Sequence, residues 1–199
     1  NNKIITAHCP NTGSMMGLLR ANNKVWLSKS ENPERKLKYT LQIIENKKSM
    51  VGVNTHLTNK IVLKALKENS IKELKNLDNI KSEVKFGKNT RFDFLISKNN
   101  KKIFVEVKNV TLSRKKGVAE FPDAVTTRGL KHINELINAS KRGFETYLLF
   151  LIQRNDCNQL KIAQDIDPDY YKLLTEASKK KLNIICYDCK FSAKGIKLN

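Results

Sequence analysis

The stretches Arg91-Phe-Asp-Phe-Leu-Ile96 and Lys102-Ile-Phe-Val-Glu-Val-Lys108 decide the fold of this chain. Both are hydrophobic, and a five-residue polar stretch from Ser97 to Lys101 separates them. That pattern describes two antiparallel strands joined by a hairpin loop. Side chains alternate faces along a strand, so Glu106 and Lys108 share one face while Ile103, Val105 and Val107 turn to the other. The hairpin brings Asp93 beside Glu106. Two carboxylates and an amine converging on one sheet face form a site able to hold a hard cation and activate water for phosphodiester cleavage. The plain alternative is an amphipathic hairpin whose Glu106 and Lys108 face water or pair across strands. It accounts poorly for the apolar setting, where charges need partners or a metal.

Outward from the hairpin, the first part of the chain, to about residue 47, reads as strands and loops. Lys3–Cys9, Val25–Lys29 and Lys38–Glu45 carry β-branched or aromatic residues between Gly-, Asn- and Pro-containing stretches, which suggests a small β-barrel or sheet that lacks opening strands. From Met50 the character changes. Thr58–Glu68 has Ile61, Val62, Ala65 and Leu66 at helical spacing, with Thr58 as the expected N-cap. Strands follow near Ile80–Phe86, Arg91–Ile96 and Lys102–Val107, then a helix over Thr126–Ser140 and an apolar strand over Glu145–Ile152. Asp167-Pro168 opens a helix reaching about Lys180, and Ile184–Cys189 supplies a last strand. The order αβββαβαβ is an α/β arrangement, helices covering a mixed sheet, and the whole chain is α+β. The expected division is 1–47 and 48–199.

Composition narrows the function class. At 199 residues the chain is long enough to bury a real core, and no run of 18 apolar residues is present to span a membrane. It opens at Asn1-Asn2 with no signal-peptide pattern and no Met, so an N-terminal segment is expected to be missing. Cysteines at 9, 157, 186 and 189 form a sparse set typical of a reduced, cytoplasmic protein. Cys186 and Cys189 make a C-x2-C without a second pair, and small buried hydrophobes are the better reading than zinc ligands. A net charge of +19 favours a polyanionic partner, with nucleic acid the first candidate. The excess is spread along the chain, and Lys outnumbers Arg by 31 to 7, so part of the charge follows codon usage.

The pattern D…ExK, with 12 residues between Asp93 and Glu106, resembles the core of PD-(D/E)XK nucleases, which requires Asp93 on the second strand and Glu106-Val107-Lys108 on the third. A wider resemblance covers essentially the whole chain in order. His8-Cys-Pro-Asn-Thr-Gly-Ser-Met15, Val51-Gly-Val-Asn-Thr-His56, Arg91 to Leu95, Val105-Glu-Val-Lys-Asn-Val-Thr-Leu112 and Phe121-Pro-Asp-Ala-Val-Thr126 resemble the sugar fermentation stimulation protein (SfsA) family of bacteria and archaea. Arg128-Gly129, His132 and Leu149-Phe-Leu-Ile-Gln-Arg154 continue the match. The resemblance implies an N-terminal OB-like β-barrel followed by a PD-(D/E)XK restriction-endonuclease-like domain. It also implies DNA binding and a link to regulation of sugar metabolism, notably maltose genes. Family members carry roughly twenty more residues before Asn1, the expected source of the missing barrel strands.

Carried over residue by residue, the resemblance assigns Asp93 and Glu106 to Mg2+ or Mn2+, with the Val107 carbonyl as a further ligand. Lys108 positions or deprotonates the attacking water and steadies the phosphate. Glu68, the only acid near the end of the first helix, is the candidate for the extra helix carboxylate found in many related nucleases. Asp123 or Thr126 caps the second helix, whose free N–H groups suit a phosphate. Arg128 and His132, one turn apart, contact DNA or support the site. Asn54, Thr55 and Asn59 position a phosphate or serve as caps. On the barrel, Arg20, Lys24, Lys29, Arg35 and Lys38 are the expected DNA contacts around Trp26 and Tyr39, with Trp26 favoured as core, and affinity should fall steeply with salt. The leading reading is a cytoplasmic DNA-binding protein with metal-dependent deoxyribonuclease capacity. The alternative is a non-catalytic DNA-binding regulator, and a structural or RNA-associated protein has little specific support.

Overall fold

The computed structural model describes residues 4–87, 90–192 and 195–199. Its scaffold is a six-stranded mixed sheet whose middle strand, Glu145–Ile152, is buried along almost its whole length. This strand, β10, has parallel neighbours on both sides: β7 (Lys101–Val110) and β12 (Leu182–Ser192). Its alternate residues serve two cores. Tyr147, Leu149 and Leu151 join Ile103, Val105 and Val107 beneath helix α1 (Thr58–Lys67), while Leu148, Phe150 and Ile152 pack beneath α2 (Thr127–Lys141) and α3 (Pro168–Ser178). A continuous apolar run is what a strand covered on both faces requires. Each such Leu or Phe contributes about 1.5–3 kcal/mol by leaving water. Outward, β7 pairs with β6 (Thr90–Lys98) and β6 with β5 (Asn79–Phe86), both antiparallel, while β13 (Gly195–Leu198) closes the far side against β12.

The β6–β7 hairpin is tighter than the polar stretch predicts. Both strands run into it, Lys98 pairs with Lys101, and only Asn99 and Asn100 turn the chain. Their φ values of 49° and 62° are left-handed, the requirement of a two-residue turn matched to strand twist, and Asn tolerates that conformation better than most residues. At the sheet's edge β5 carries another left-handed residue, Glu83 at φ 54°, where the pairing of β5 with β6 passes from Ser82 to Val84.

The first part forms its own sheet. β3 (Tyr39–Asn46) pairs with β1 (Ala7–His8), β2 (Val25–Lys29) and β4 (Ser49–Gly52). The expected strand over Lys3–Cys9 is pared to Ala7–His8, and Lys3 lies outside the described residues. Trp26 is half-buried rather than core, with the Lys24 ammonium 5.0 Å from its ring centre. The β3–β4 hairpin carries this sheet to Gly52, where backbone bonds stitch it to the larger one. Gly52 N–H donates to the Gln153 carbonyl, Gln153 N–H donates to Val110, and Val51 bridges Arg154.

Besides β4 and β13, three further strands went unforeseen. β8 (Leu112–Lys115), β9 (Gly117–Phe121) and β11 (Cys157–Ile162) form a small separate sheet, with Arg114 braced between Glu120 and Asp165. A 3-10 turn over Thr55–Leu57 precedes α1; Asn54 caps that turn by accepting from His56 N–H, and α1 itself follows Leu57 without a side-chain cap, so Thr58 is not the N-cap. Thr58 sits inside the helix, and its hydroxyl accepts from Gln153. At α2, Thr126 takes the capping role through Gly129 N–H. Cys189 is buried, as a small hydrophobe should be, but Cys186, on the opposite face of β12, is exposed. Among the described residues no helix is long and apolar enough to cross a membrane.

Candidate active site

The site grows from the alternation of β7. Val105 and Val107 go into the α1 core, which turns Glu106 and Lys108 toward α2. Glu106 is 3% exposed, and its Oε1 receives two donors: Lys108 Nζ at 2.7 Å and His132 Nδ1. The imidazole donates its Nδ1 proton to the carboxylate, so the 3.2 Å approach of Lys108 Nζ to the same nitrogen is two donors converging on one oxygen. Burial pushes the Glu106 carboxyl upward, but the His132 hydrogen bond and the Lys108 ammonium outweigh it and hold the group below its ordinary range. Its other oxygen, Oε2, is buried without a hydrogen-bond partner among the described residues. The Tyr170 hydroxyl is likewise buried and unpartnered, pushed up by burial and then by the negative charge of Glu106.

Asp93 comes from the neighbouring strand. Its Oδ2 accepts from Val107 N–H at 2.7 Å and its Oδ1 from Asn59 Nδ2 at 2.7 Å. Burial and the charge of Glu106 together push its carboxyl up to about 6, against the downward pull of those hydrogen bonds and of Lys108. The three hairpin residues are therefore brought together. The other candidates divide. His132 lies in the site, buried against Glu106, while Arg128 one turn earlier is exposed. Glu68 is remote, since α1 presents Asn59 from its first turn to Asp93 and leaves Glu68 at its far end, paired with Lys64 in solvent. Asp123 is drawn to the first part of the chain, where it accepts from the Ser14 hydroxyl.

The family model described as the SfsA N-terminal OB domain matches residues 1–53, and that of the sugar fermentation stimulation protein RE domain matches 56–195. This chain belongs to the sugar fermentation stimulation protein family. A sugar fermentation stimulation protein homolog of Pelagibacter ubique is 57% identical over 197 residues, covering 99% of this chain and 85% of that one. The Maricaulis maris homolog is 41% identical, covering 98% and 83%. A solved structure described as Pyrococcus furiosus SfsA in complex with Ca2+ matches with a TM-score of 0.90 at 26% identity, covering 100% of this chain and 84% of that one.

In SfsA terms, the N-terminal OB domain holds the remaining expected contacts. Arg35 lines a groove facing the other domain, Lys24 is engaged by Trp26, and Lys38 reaches the Pro33 carbonyl. Arg20 and Lys29 are exposed. Two relations within the RE domain escaped the sequence: Asn59, expected to position a phosphate or serve as a cap, donates to Asp93, and Tyr170 lies near Glu106. Helical periodicity gives a residue its face, but not the strand residue it will meet.

Proposed function

We propose that this protein hydrolyses DNA phosphodiesters at Asp93, Glu106 and Lys108 with the help of a divalent cation, Mg2+ or Mn2+. The observation that carries the reading is the buried, unpartnered Glu106 Oε2 beside an Asp93 carboxyl pushed up to about 6. A buried acceptor without a donor is costly, and two adjacent carboxylates that repel each other are relieved by a cation. The described residues contain no group of three or more His, Cys, Asp or Glu side chains arranged for a metal. The ion would therefore rest on Asp93, Glu106 and the Val107 carbonyl, with water completing the oxygen shell that hard cations prefer. Pyrococcus furiosus SfsA, similar in fold, is described as holding Ca2+, an ion of the same oxygen-seeking class. Bound there, a cation supplies Lewis acidity toward the phosphoryl oxygen and a lowered pKa for water. The protein's own part is positional: Asn59 and Val107 N–H fix Asp93, His132 fixes Glu106, and Lys108 sets a positive charge where a phosphate would lie.

One feature favours a second reading, a non-catalytic DNA-binding regulator of sugar metabolism genes. Lys108 and His132 already compensate Glu106, so the centre is internally balanced as it stands. The deciding experiment is cleavage of labelled single- and double-stranded DNA with Mg2+, Mn2+ or EDTA, comparing wild type with Glu106→Ala. Metal-dependent cutting that disappears in the variant is expected. DNA left intact under every metal, with binding retained, would replace the enzyme by the regulator.

A further inference from the structure

Three adjoining cavities share lining residues: two lie on the seam between the OB domain and the RE domain, and the one between them lies on the RE domain beside Asn59, the residue bonded to Asp93. The widest, about 660 Å3, is lined by His8, Arg35, His56 and Lys60 among neutral polar residues. His56 and Lys60 also line the next, about 440 Å3, which contains Asn59, the residue bonded to Asp93. Thr55 joins that groove to a notch of about 170 Å3, where Asn109, the residue after Lys108, is part of the wall. Shared lining residues make this one path, which narrows past Asn59 toward the notch.

The two wider grooves have the chemistry of a phosphodiester track, whereas Glu120, paired with Arg114, and Asp123 line the notch. No carboxylate lines the widest groove, and neither Arg35 nor Lys60 has an ion-pair partner among the described residues. Glu83, the single acid of the middle groove, faces Arg91 at 3.9 Å and Asn59 at 3.4 Å. The groove floor is pre-ordered: the Gln42 amide donates to Ser28 Oγ and accepts from Asn54 Nδ2, each at 2.8 Å. The notch differs. It is smaller than the roughly 300–1,000 Å3 of a drug-sized pocket, so it suits a base or a sugar rather than a whole nucleotide. Gln153 Nε2 occupies Asn109 Oδ1 at 2.7 Å and thereby leaves the Asn109 amide N–H groups to face a ligand, with Phe121 as an aromatic wall.

We propose that the seam holds a single strand of nucleic acid, its phosphates on Arg35 and Lys60, its chain passing Asp93 and Glu106, and one base or sugar seated against Asn109 and Phe121. The proposal rests on the phosphodiester site described above and names its substrate class. A tapering seam admits one flexible backbone. Duplex DNA, stiff over about 500 Å, presents two strands on a convex cylinder and does not follow it.

The test is fluorescence anisotropy of a labelled 12-nucleotide single strand, in DNA and RNA form, and of the matching DNA duplex, in EDTA across a salt series. Single strands should bind more tightly than the duplex. Arg35→Ala/Lys60→Ala should flatten the slope of log affinity against log salt by about 1.4, since each single-strand phosphate contact contributes about 0.7. Arg35→Lys keeps the charge and should keep the slope, and Lys172→Ala/Lys179→Ala, on the exposed side of α3, should leave it unchanged. Thermal unfolding of each variant confirms that it is folded. Equal or tighter duplex binding, or equal flattening by the α3 pair, would overturn the track. Either result alongside metal-dependent cleavage by wild type would leave the phosphodiester site standing. The converse, track-dependent binding without cleavage, would support the track while removing the proposed chemistry.

Discussion

Asp93 and Glu106 are neighbours that the fold pushes in opposite directions. Glu106 is held ionised by Lys108 and His132, whereas Asp93, buried and facing that negative charge, is pushed up to about 6. The unfolded chain releases the Asp93 proton near 3.8, the folded one near 6. Below the first value both states are protonated and the group is neutral toward stability. Between the two, folding is opposed increasingly as pH rises, and above about 6 the full penalty of roughly 3 kcal/mol stands. Asp93→Asn should therefore stabilise the protein by about 1–3 kcal/mol at pH 7.5, and the gain should fade toward pH 4. Urea unfolding at both pH values checks this; a gain of equal size at each would remove Asp93 as the source. Stability surrendered at one carboxylate is characteristic of positions kept for chemistry rather than for folding.

At the scale of elements, the hairpin carrying the site depends on two left-handed asparagines. Replacing Asn99 and Asn100 by Ala should cost about 1–3 kcal/mol, because a Cβ-bearing residue without a side-chain amide pays the left-handed penalty, while Asn100→Gly should be neutral or stabilising. Denaturant midpoints with unchanged slope would establish both. The hairpin also shows what was legible beforehand. Period-two alternation separated Val105 and Val107 from Glu106 and Lys108, and the almost continuous apolar run over Glu145–Ile152 announced a buried strand, whose bounds agree with those of β10. Loop length was harder, since Ser97, Lys98 and Lys101 look like loop but extend the ladder. The β8–β9–β11 sheet escaped because its strands are short, and charged residues such as Arg114, Lys115 and Lys161 interrupt any apolar pattern. Glu68 illustrates a third limit. Helix α1 was placed correctly along the chain, yet which of its ends approaches the sheet depends on packing, and Asn59 reached Asp93 instead.

For the whole molecule, the decisive feature is the junction at Gln153 and Arg154. The main chain there serves the OB sheet through Gly52 and Val51 and the RE sheet through Val110, while the Gln153 side chain holds Thr58 and Asn109. The two domains share hydrogen bonds and cannot separate without leaving buried polar groups unpaired. Unfolding should thus be a single transition, with calorimetric and van't Hoff enthalpies in agreement; two resolved transitions would mean that the junction opens independently. The opposite rim has a different consequence. Among the described residues, strand β5 ends the six-stranded sheet with an outer row of unpaired backbone donors and acceptors, the arrangement that recruits further strands into fibrils. Glu83, turned left-handed between Ser82 and Val84 and flanked by Lys81 and Lys85, breaks that row at its centre and places charge on either side. The protein carries its own safeguard against polymerising edge to edge.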